Sequence, residues 1–182
     1  METLPAKAFP GTVILGRPTT DTITLSLLAT ANTDVFIQYG ETSGKYDAQT
    51  GVSSLQKDQP SEFIITGLNN DTLYYYRVCH RPSGEASFYA GAENTFHTQR
   101  APGESFIFTV DADPHFDNNA IMEKIRLTFQ NILNDHPDFN IDLGDTFMSE
   151  KLALQNYTQV ASNYADKRNY FGIFGNSVPL YL

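Results

Sequence analysis

The stretch that decides the fold is Phe106-Ile107-Phe108-Thr109-Val110-Asp111-Ala112-Asp113-Pro114-His115, read together with Leu143-Gly144-Asp145. Residues 106–110 form a short apolar run rich in β-formers. The run lacks polar alternation, which predicts a strand buried on both faces. It stops at Asp111, and Asp113 and His115 follow on either side of Pro114. Candidate metal ligands therefore stand where a central strand ends and a loop begins. In open α/β sheets, ligands bind at that carboxyl edge. Further along, a second apolar strand over residues 139–143 ends in Gly144-Asp145. If the two strands are parallel neighbours, Asp113, His115 and Asp145 converge on one rim.

Outward from this pair, residues 101–182 read as a βαβαβ pattern. Asp117, Asn118 or Asn119 can cap a helix. Ile121, Ile125, Phe129, Ile132 and Leu133 then fall at helical spacing, ending before Asn134-Asp135-His136-Pro137. Residues 149–171 are mostly helical in composition, with Ala153, Tyr157, Val160, Ala161 and Tyr164 on one face. A third strand is expected over residues 178–182. Alternating strands and helices imply a parallel sheet with right-handed crossovers. A chain that stops inside an apolar strand is expected to be a fragment of a longer protein. Its uncovered sheet edge is expected to drive self-association through that third strand.

Before the junction at Gln99-Arg100-Ala101-Pro102-Gly103-Glu104, the pattern changes. Ile23, Leu25 and Leu27 alternate with polar residues, as do Val35, Ile37 and Tyr39, and Tyr74, Tyr76 and Val78. Residues 63–66 and 88–96 supply further runs, with turn residues between them. That spacing predicts an antiparallel β-sandwich over residues 1–100. The segment from Gly67 to Val78 resembles the E–F corner of fibronectin type III domains, in which a tyrosine bonds back across the corner. The tyrosines of this half read as core and cross-strand packing. His80 and His97 read as surface residues of the sandwich, and His136 as part of a helix-ending turn.

The net charge of the 182-residue chain is -9. Residues 1–100 carry 10 acidic and 7 basic side chains, and residues 101–182 carry 11 and 5. That balance argues against binding nucleic-acid duplexes or anionic membranes. An acidic domain that handles phosphate needs metal ions to supply positive charge. The single cysteine, Cys79, excludes an intrachain disulfide. No apolar run is long enough to span a bilayer, and no basic-then-apolar signal peptide opens the chain. The lysines and arginines accompany no phosphate-cradling glycine-rich loop, which argues against a P-loop enzyme.

Carboxylate with imidazole suits Zn, Fe, Mn or Co rather than an all-oxygen Ca or Mg site. Pro114 stiffens the loop between Asp113 and His115. Asp145 can bridge two ions through its two oxygens, and Gly144 lets the backbone approach closely. Two ions about 3.5–4 Å apart can activate a water and stabilise an in-line phosphoryl displacement. Asp111, Asp117 and Asp142 flank these residues as candidates for supporting or capping roles. The bland reading is that Asp and Gly are common turn residues at strand ends.

Asp113-Pro114-His115 followed by Gly144-Asp145 resembles the D-x-H and G-D signatures of the calcineurin-like metallophosphoesterases. The preceding sandwich resembles the purple acid phosphatase branch of that family. The resemblance implies two domains: a fibronectin III-like sandwich over residues 1–100 and the first βαβαβ part of an α/β metallophosphoesterase fold over residues 101–182. It implies hydrolysis of a small-molecule or nucleotide phosphoester at a site holding two divalent or trivalent transition metals, and a secreted or periplasmic protein. Asp113 and His115 would hold the first ion and Asp145 would bridge both. That branch places a metal-ligating tyrosine three residues after G-D, where this chain has Met148, which argues against a tyrosinate–iron centre. The family's G-N-H-[DE] motif is missing. Gly175-Asn176-Ser177 does not replace it, because it precedes the third strand rather than following it. The remaining ligands and the catalytic histidine are therefore expected beyond Leu182, and this chain alone is expected to be inactive or nearly so. The alternative is a non-catalytic fibronectin III-type binding module with an accessory α/β segment.

Overall fold

The computed structural model describes residues 4–116, 120–154 and 156–182. Alternating β-formers set the first part of the chain. Its strands are β1 (Gly11–Gly16), β2 (Thr22–Ala29), β3 (Thr33–Gly40), β4 (Ala48–Gln49), β5 (Ser53–Leu55), β6 (Ser61–Thr66), β7 (Leu73–Pro82), β8 (Tyr89–Ala90) and β9 (Asn94–His97). One sheet runs β1-β2-β6 and the other β4-β3-β7-β8, with β5 also paired to β3 and β9 to β7. Every one of these pairings is antiparallel. The inward positions are those the alternation marks: Ile23, Leu25, Leu27, Val35, Ile37, Tyr76 and Val78 are buried in one core. Each such side chain contributes about 1.5–3 kcal/mol by leaving water. At the corner before β7, the Asn69 backbone N–H donates to the Tyr74 hydroxyl at 2.9 Å, and that hydroxyl donates to Glu41 at 3.1 Å. The expected run over residues 88–96 resolves into two short strands, and between them the Gly91 N–H donates to the Val78 carbonyl at 2.9 Å.

The second part contains β10 (Phe108–Asp111), α1 (Met122–Asn134), β11 (Phe139–Asp142), a 3-10 turn (Ser149–Lys151), α2 (Tyr157–Gly175) and β12 (Leu180–Tyr181). The three strands form a parallel sheet in the order β10-β11-β12. In register, Phe108 pairs with Phe139 and Asp111 with Asp142. The structure thus has a β-sandwich followed by a parallel α/β part.

Several expectations need correction. The first parallel strand is not buried on both faces. Its side chains alternate: Thr109 and Asp111 join Asn140 and Asp142 on one face, and Phe108 and Val110 lie on the other. Phe106, Phe108 and Val110 are 57%, 49% and 50% exposed. The third strand is shorter than expected, covering only two residues. Residues 149–171 are not one helix, since a separate 3-10 turn precedes α2. The buried face of α2 is not the expected one. Phe171 and Phe174 pack with Phe116, Phe129 and Val178, whereas Tyr157 is 88% exposed. The helix caps expected at Asp117, Asn118 or Asn119 lie outside the described residues.

The other side of α2 meets the sandwich. Arg168 Nε donates to Thr12 Oγ1 at 2.7 Å, and its Nη2 donates to the Ser26 carbonyl at 2.5 Å. Burial lowers the Arg168 pKa to about 10. The Tyr76 hydroxyl donates to the Asn176 carbonyl at 2.6 Å, and the Thr95 backbone N–H donates to Ser177 Oγ at 3.4 Å. Gly175-Asn176-Ser177 therefore serves this contact. Arg100 adds a clamp near the junction, with Nε 2.8 Å from Asp138 and Nη1 3.5 Å from Asp71.

Candidate metal centre

The parallel pairing of β10 and β11 carries on past both strand ends. The Leu143 N–H donates to the Asp111 carbonyl at 2.9 Å, and the Asp113 N–H to the Gly144 carbonyl at 3.0 Å. The His115 N–H then reaches the Asp145 carbonyl at 3.3 Å. Two loops are thereby laced side by side, which sets Asp113 and His115 against Asp145.

His115 Nε2 lies 3.5 Å from Asp113 Oδ1 and 3.8 Å from Asp145 Oδ2. Each of the three offers one ligating atom, and those atoms lie within 4.8 Å of one another. Among the described residues this is the one group of three or more His, Cys, Asp or Glu side chains within such reach. Metal–ligand bonds of about 2.0–2.2 Å set neighbouring donors roughly 3.4 Å apart around a tetrahedral ion. The three atoms thus fit one transition metal with small side-chain adjustments. All three side chains keep an open side to solvent, with 65%, 43% and 73% exposure for Asp113, His115 and Asp145.

The backbone is unusual at these positions. Asp113, His115 and Asp145 have φ of 53°, 45° and 52°, and Met148 has 49°. Only eight described non-glycine residues have positive φ, so half of them lie in these two loops. Left-handed backbone costs a non-glycine residue on the order of 1 kcal/mol or more, and such residues gather at functional sites. Asp113 also precedes a proline, which ordinarily pushes a residue to extended backbone. Gly144, at φ 100°, occupies a conformation that favours glycine.

The supporting layer lies on the polar face of the sheet. Asp142 accepts from the Gly144 N–H at 2.8 Å and from the Thr146 hydroxyl at 2.7 Å, pinning the loop that carries Asp145. Asn140 donates to Asp111 Oδ1 at 2.6 Å and accepts from the Thr109 hydroxyl at 2.7 Å. Asp111 Oδ2 is buried with no hydrogen-bond partner among the described residues. Burial pushes the Asp111 carboxyl above the ordinary carboxylate range; the Asn140 hydrogen bond opposes this and the Asp142 charge adds to it. Asp117 lies outside the described residues.

Thr109, Asn140 and Thr146 were not singled out by sequence reasoning. The signal was present, since Thr109 and Asn140 interrupt strands that otherwise read as apolar. His80 is not a surface residue, and His97 is part-buried. His80 is 1% exposed, with Nε2 3.0 Å from the Lys7 carbonyl, and His97 Nε2 lies 3.8 Å from Asp71. His136 is exposed in the turn after α1, at φ 48°. No described helix is long and apolar enough to cross a membrane.

No protein-family model matches the chain, and no curated protein matches it in sequence. Among solved structures, a structure of PhoD matches 99% of this chain at a TM-score of 0.65 and 14% identity. The match covers 39% of that PhoD chain, so this chain spans well under half of its length. The likeness is one of fold, with a sandwich followed by an α/β part. Two structures of fibronectin type III domains of human collagen XX also match. One is 16% identical over 58% of this chain and 94% of its own length, at a TM-score of 0.36. The other is 19% identical over 54% and 95%, at 0.37. The sandwich rests on its own antiparallel pairing and core.

Proposed function

We propose that Asp113, His115 and Asp145 hold a transition metal, and that the site serves metal-dependent phosphoester hydrolysis. The observation that carries this reading is the convergence of one imidazole and two carboxylates within 4.8 Å, at the carboxyl rim of two paired parallel strands. The likeness of fold to PhoD supports it. In this reading the chain divides near residue 100 into a sandwich and the first part of a phosphoesterase domain. Asp113 and His115 would hold one ion, and Asp145 would be shared with a second one whose further ligands this cluster does not contain. When bound, such ions activate a water and offset charge on the phosphoryl oxygens. The chain's own residues orient the donors: Asp142 fixes the Asp145 loop, and the laced backbone fixes the other. The open rim leaves room for a phosphate group to approach.

Cobalt(II) titration followed by visible absorption tests the reading. A saturable spectrum that is lost in His115→Ala supports it. An unchanged titration in that variant would remove the site from this cluster.

A further inference from the structure

A cavity of about 980 Å³ lies between the sandwich and α2, and none of Asp113, His115 and Asp145 lines it. Its size is at the upper end of small-molecule sites, roughly 300–1,000 Å³. Ile14 and Leu28 of the sandwich stand on one side. A stripe of α2 forms the other: Tyr157, Val160, Ala161, Tyr164 and Arg168. Their spacing places them on one helical face. The first four belong to the face that the sequence predicts to pack inward. Here they line open space instead, with Tyr157 and Tyr164 88% and 44% exposed. The Tyr164 ring stacks on Phe147 at 4.0 Å between ring centres, which steadies this apolar wall.

Arg168 supplies the polar end. Its Nε donates to Thr12, and its Nη2 donates to the carbonyl and the hydroxyl of Ser26. Nη1 carries two further N–H donors and has no partner among the described residues. No carboxylate among those residues pairs with Arg168, although its side chain is half-buried. The other charged residues on the wall, Lys57 and Asp58, lie 3.7 Å apart and offset each other. One positive charge is therefore left uncompensated at the end of an apolar cavity. A guanidinium drawn partly out of water without a counter-ion gains from an arriving carboxylate, through a charge-assisted hydrogen bond.

We propose that this cavity binds an amphipathic monocarboxylate of the fatty-acid class, with its carboxylate on Arg168 Nη1 and its alkyl chain along the α2 stripe. The site is separate from the metal cluster and stands without the phosphoester reading.

The test is calorimetric titration of the chain with octanoate and with 1-octanol, which share an alkyl length and differ in charge. Octanoate should saturate a single site and bind about tenfold tighter than the alcohol, the scale of a charge-assisted contact. Arg168→Gln should remove that preference and leave the 1-octanol affinity in place. Because Arg168 also bonds the sandwich, Ala161→Trp serves as a second variant that fills the cavity and spares the guanidinium. It should weaken both ligands by about tenfold or more, since the apolar contact area is lost, with the melting temperature held. Absence of saturable octanoate binding, or equal wild-type affinity for the two ligands, overturns the site. So does octanoate affinity unchanged in Ala161→Trp, or a preference that survives in folded Arg168→Gln. Should Arg168→Gln fail to fold, the Ala161→Trp result decides alone.

Discussion

Asp34 in the sandwich and Asp111 at the rim both lie on strands of the same acidic chain, yet their surroundings treat them oppositely. Asp34 accepts from the Ser54 hydroxyl at 2.8 Å and pairs with Arg81 at 3.1 Å. The Ser54 bond, against the opposing effect of burial and with help from Arg81 and Ser83, holds its carboxyl below the usual range. Asp111 has one oxygen without a partner and a pKa that burial pushes up. The contrast recurs on a larger scale. The sandwich closes its apolar faces on each other, while Phe106, Phe108 and Val110 remain half exposed. Backbone of left-handed φ gathers in the two rim loops. His80 is the exception on the sandwich side, with a buried Nδ1 that has no partner among the described residues. The Asp34 carboxylate is satisfied within the chain, and the Asp111 carboxylate keeps one buried oxygen without a partner among the described residues.

The largest expected effect lies in the sandwich. Leu25 is fully buried, and Leu25→Ala should cost about 2–5 kcal/mol in urea unfolding. Phe108→Ala, at a half-exposed position, should cost clearly less. Equal losses would erase the distinction between a closed core and an open sheet face.

At the rim, Asp142→Ala would leave the Gly144 N–H and the Thr146 hydroxyl without their acceptor. It should destabilise by about 1–3 kcal/mol and weaken metal binding by roughly 10–100-fold. Asp142→Asn, which keeps one acceptor, should fall between the two. Metal affinity unchanged in both variants would show that the Asp145 loop needs no such support.

Acid titration sharpens the comparison further. Asp34 and Glu93 both have lowered pKa values in the folded chain. For Glu93, burial acts upward but is outweighed by hydrogen bonds from Tyr46, Ser43 and the Gly44 N–H, with the Arg77 charge adding to them. A carboxyl lowered on folding contributes stability that is fully present above its unfolded value, about 4. That stability is lost as pH falls through the lower folded value. Stability should therefore drop below about pH 4, and the drop should shrink in Asp34→Asn. A pH dependence identical in wild type and variant would count against that assignment.

The smallest effect has the opposite sign. Asp111→Asn removes a charge that the folded chain disfavours, so the metal-free chain should melt slightly higher. The site is partly exposed and screened, so the gain should stay under about 1 kcal/mol, or roughly 2–4 °C. A lower melting temperature would show that the Asp111 charge is stabilising where it sits.

Much of the frame was legible in the residues. Alternation at Ile23, Leu25 and Leu27 marked inward positions because a strand repeats every two residues. The corner before Val78 was legible because Tyr74 bonds back to a local backbone group. The two strand ends at the rim were legible to within a residue, because one apolar run stops at Asp111 and the other, expected to end at Leu143, ends at Asp142. Burial across the parallel sheet was not. Phe106 to Val110 reads as interior by hydropathy, and whether a face is covered depends on what packs on it, which no local pattern encodes. The buried face of α2 differs from the expected one for a related reason. Tyr157 and Phe171 are both aromatic, and only the position of α1 decides which is buried.

The most direct test of the metal centre is metal content by mass spectrometry on the purified wild-type chain and on Asp145→Asn. Near-equimolar transition metal in the wild type, falling several-fold in the variant with its fold intact by circular dichroism, is the expected result. Wild-type chain that takes up no metal when dialysed against zinc or manganese, or equal metal in both proteins, would contradict a centre built on Asp113, His115 and Asp145.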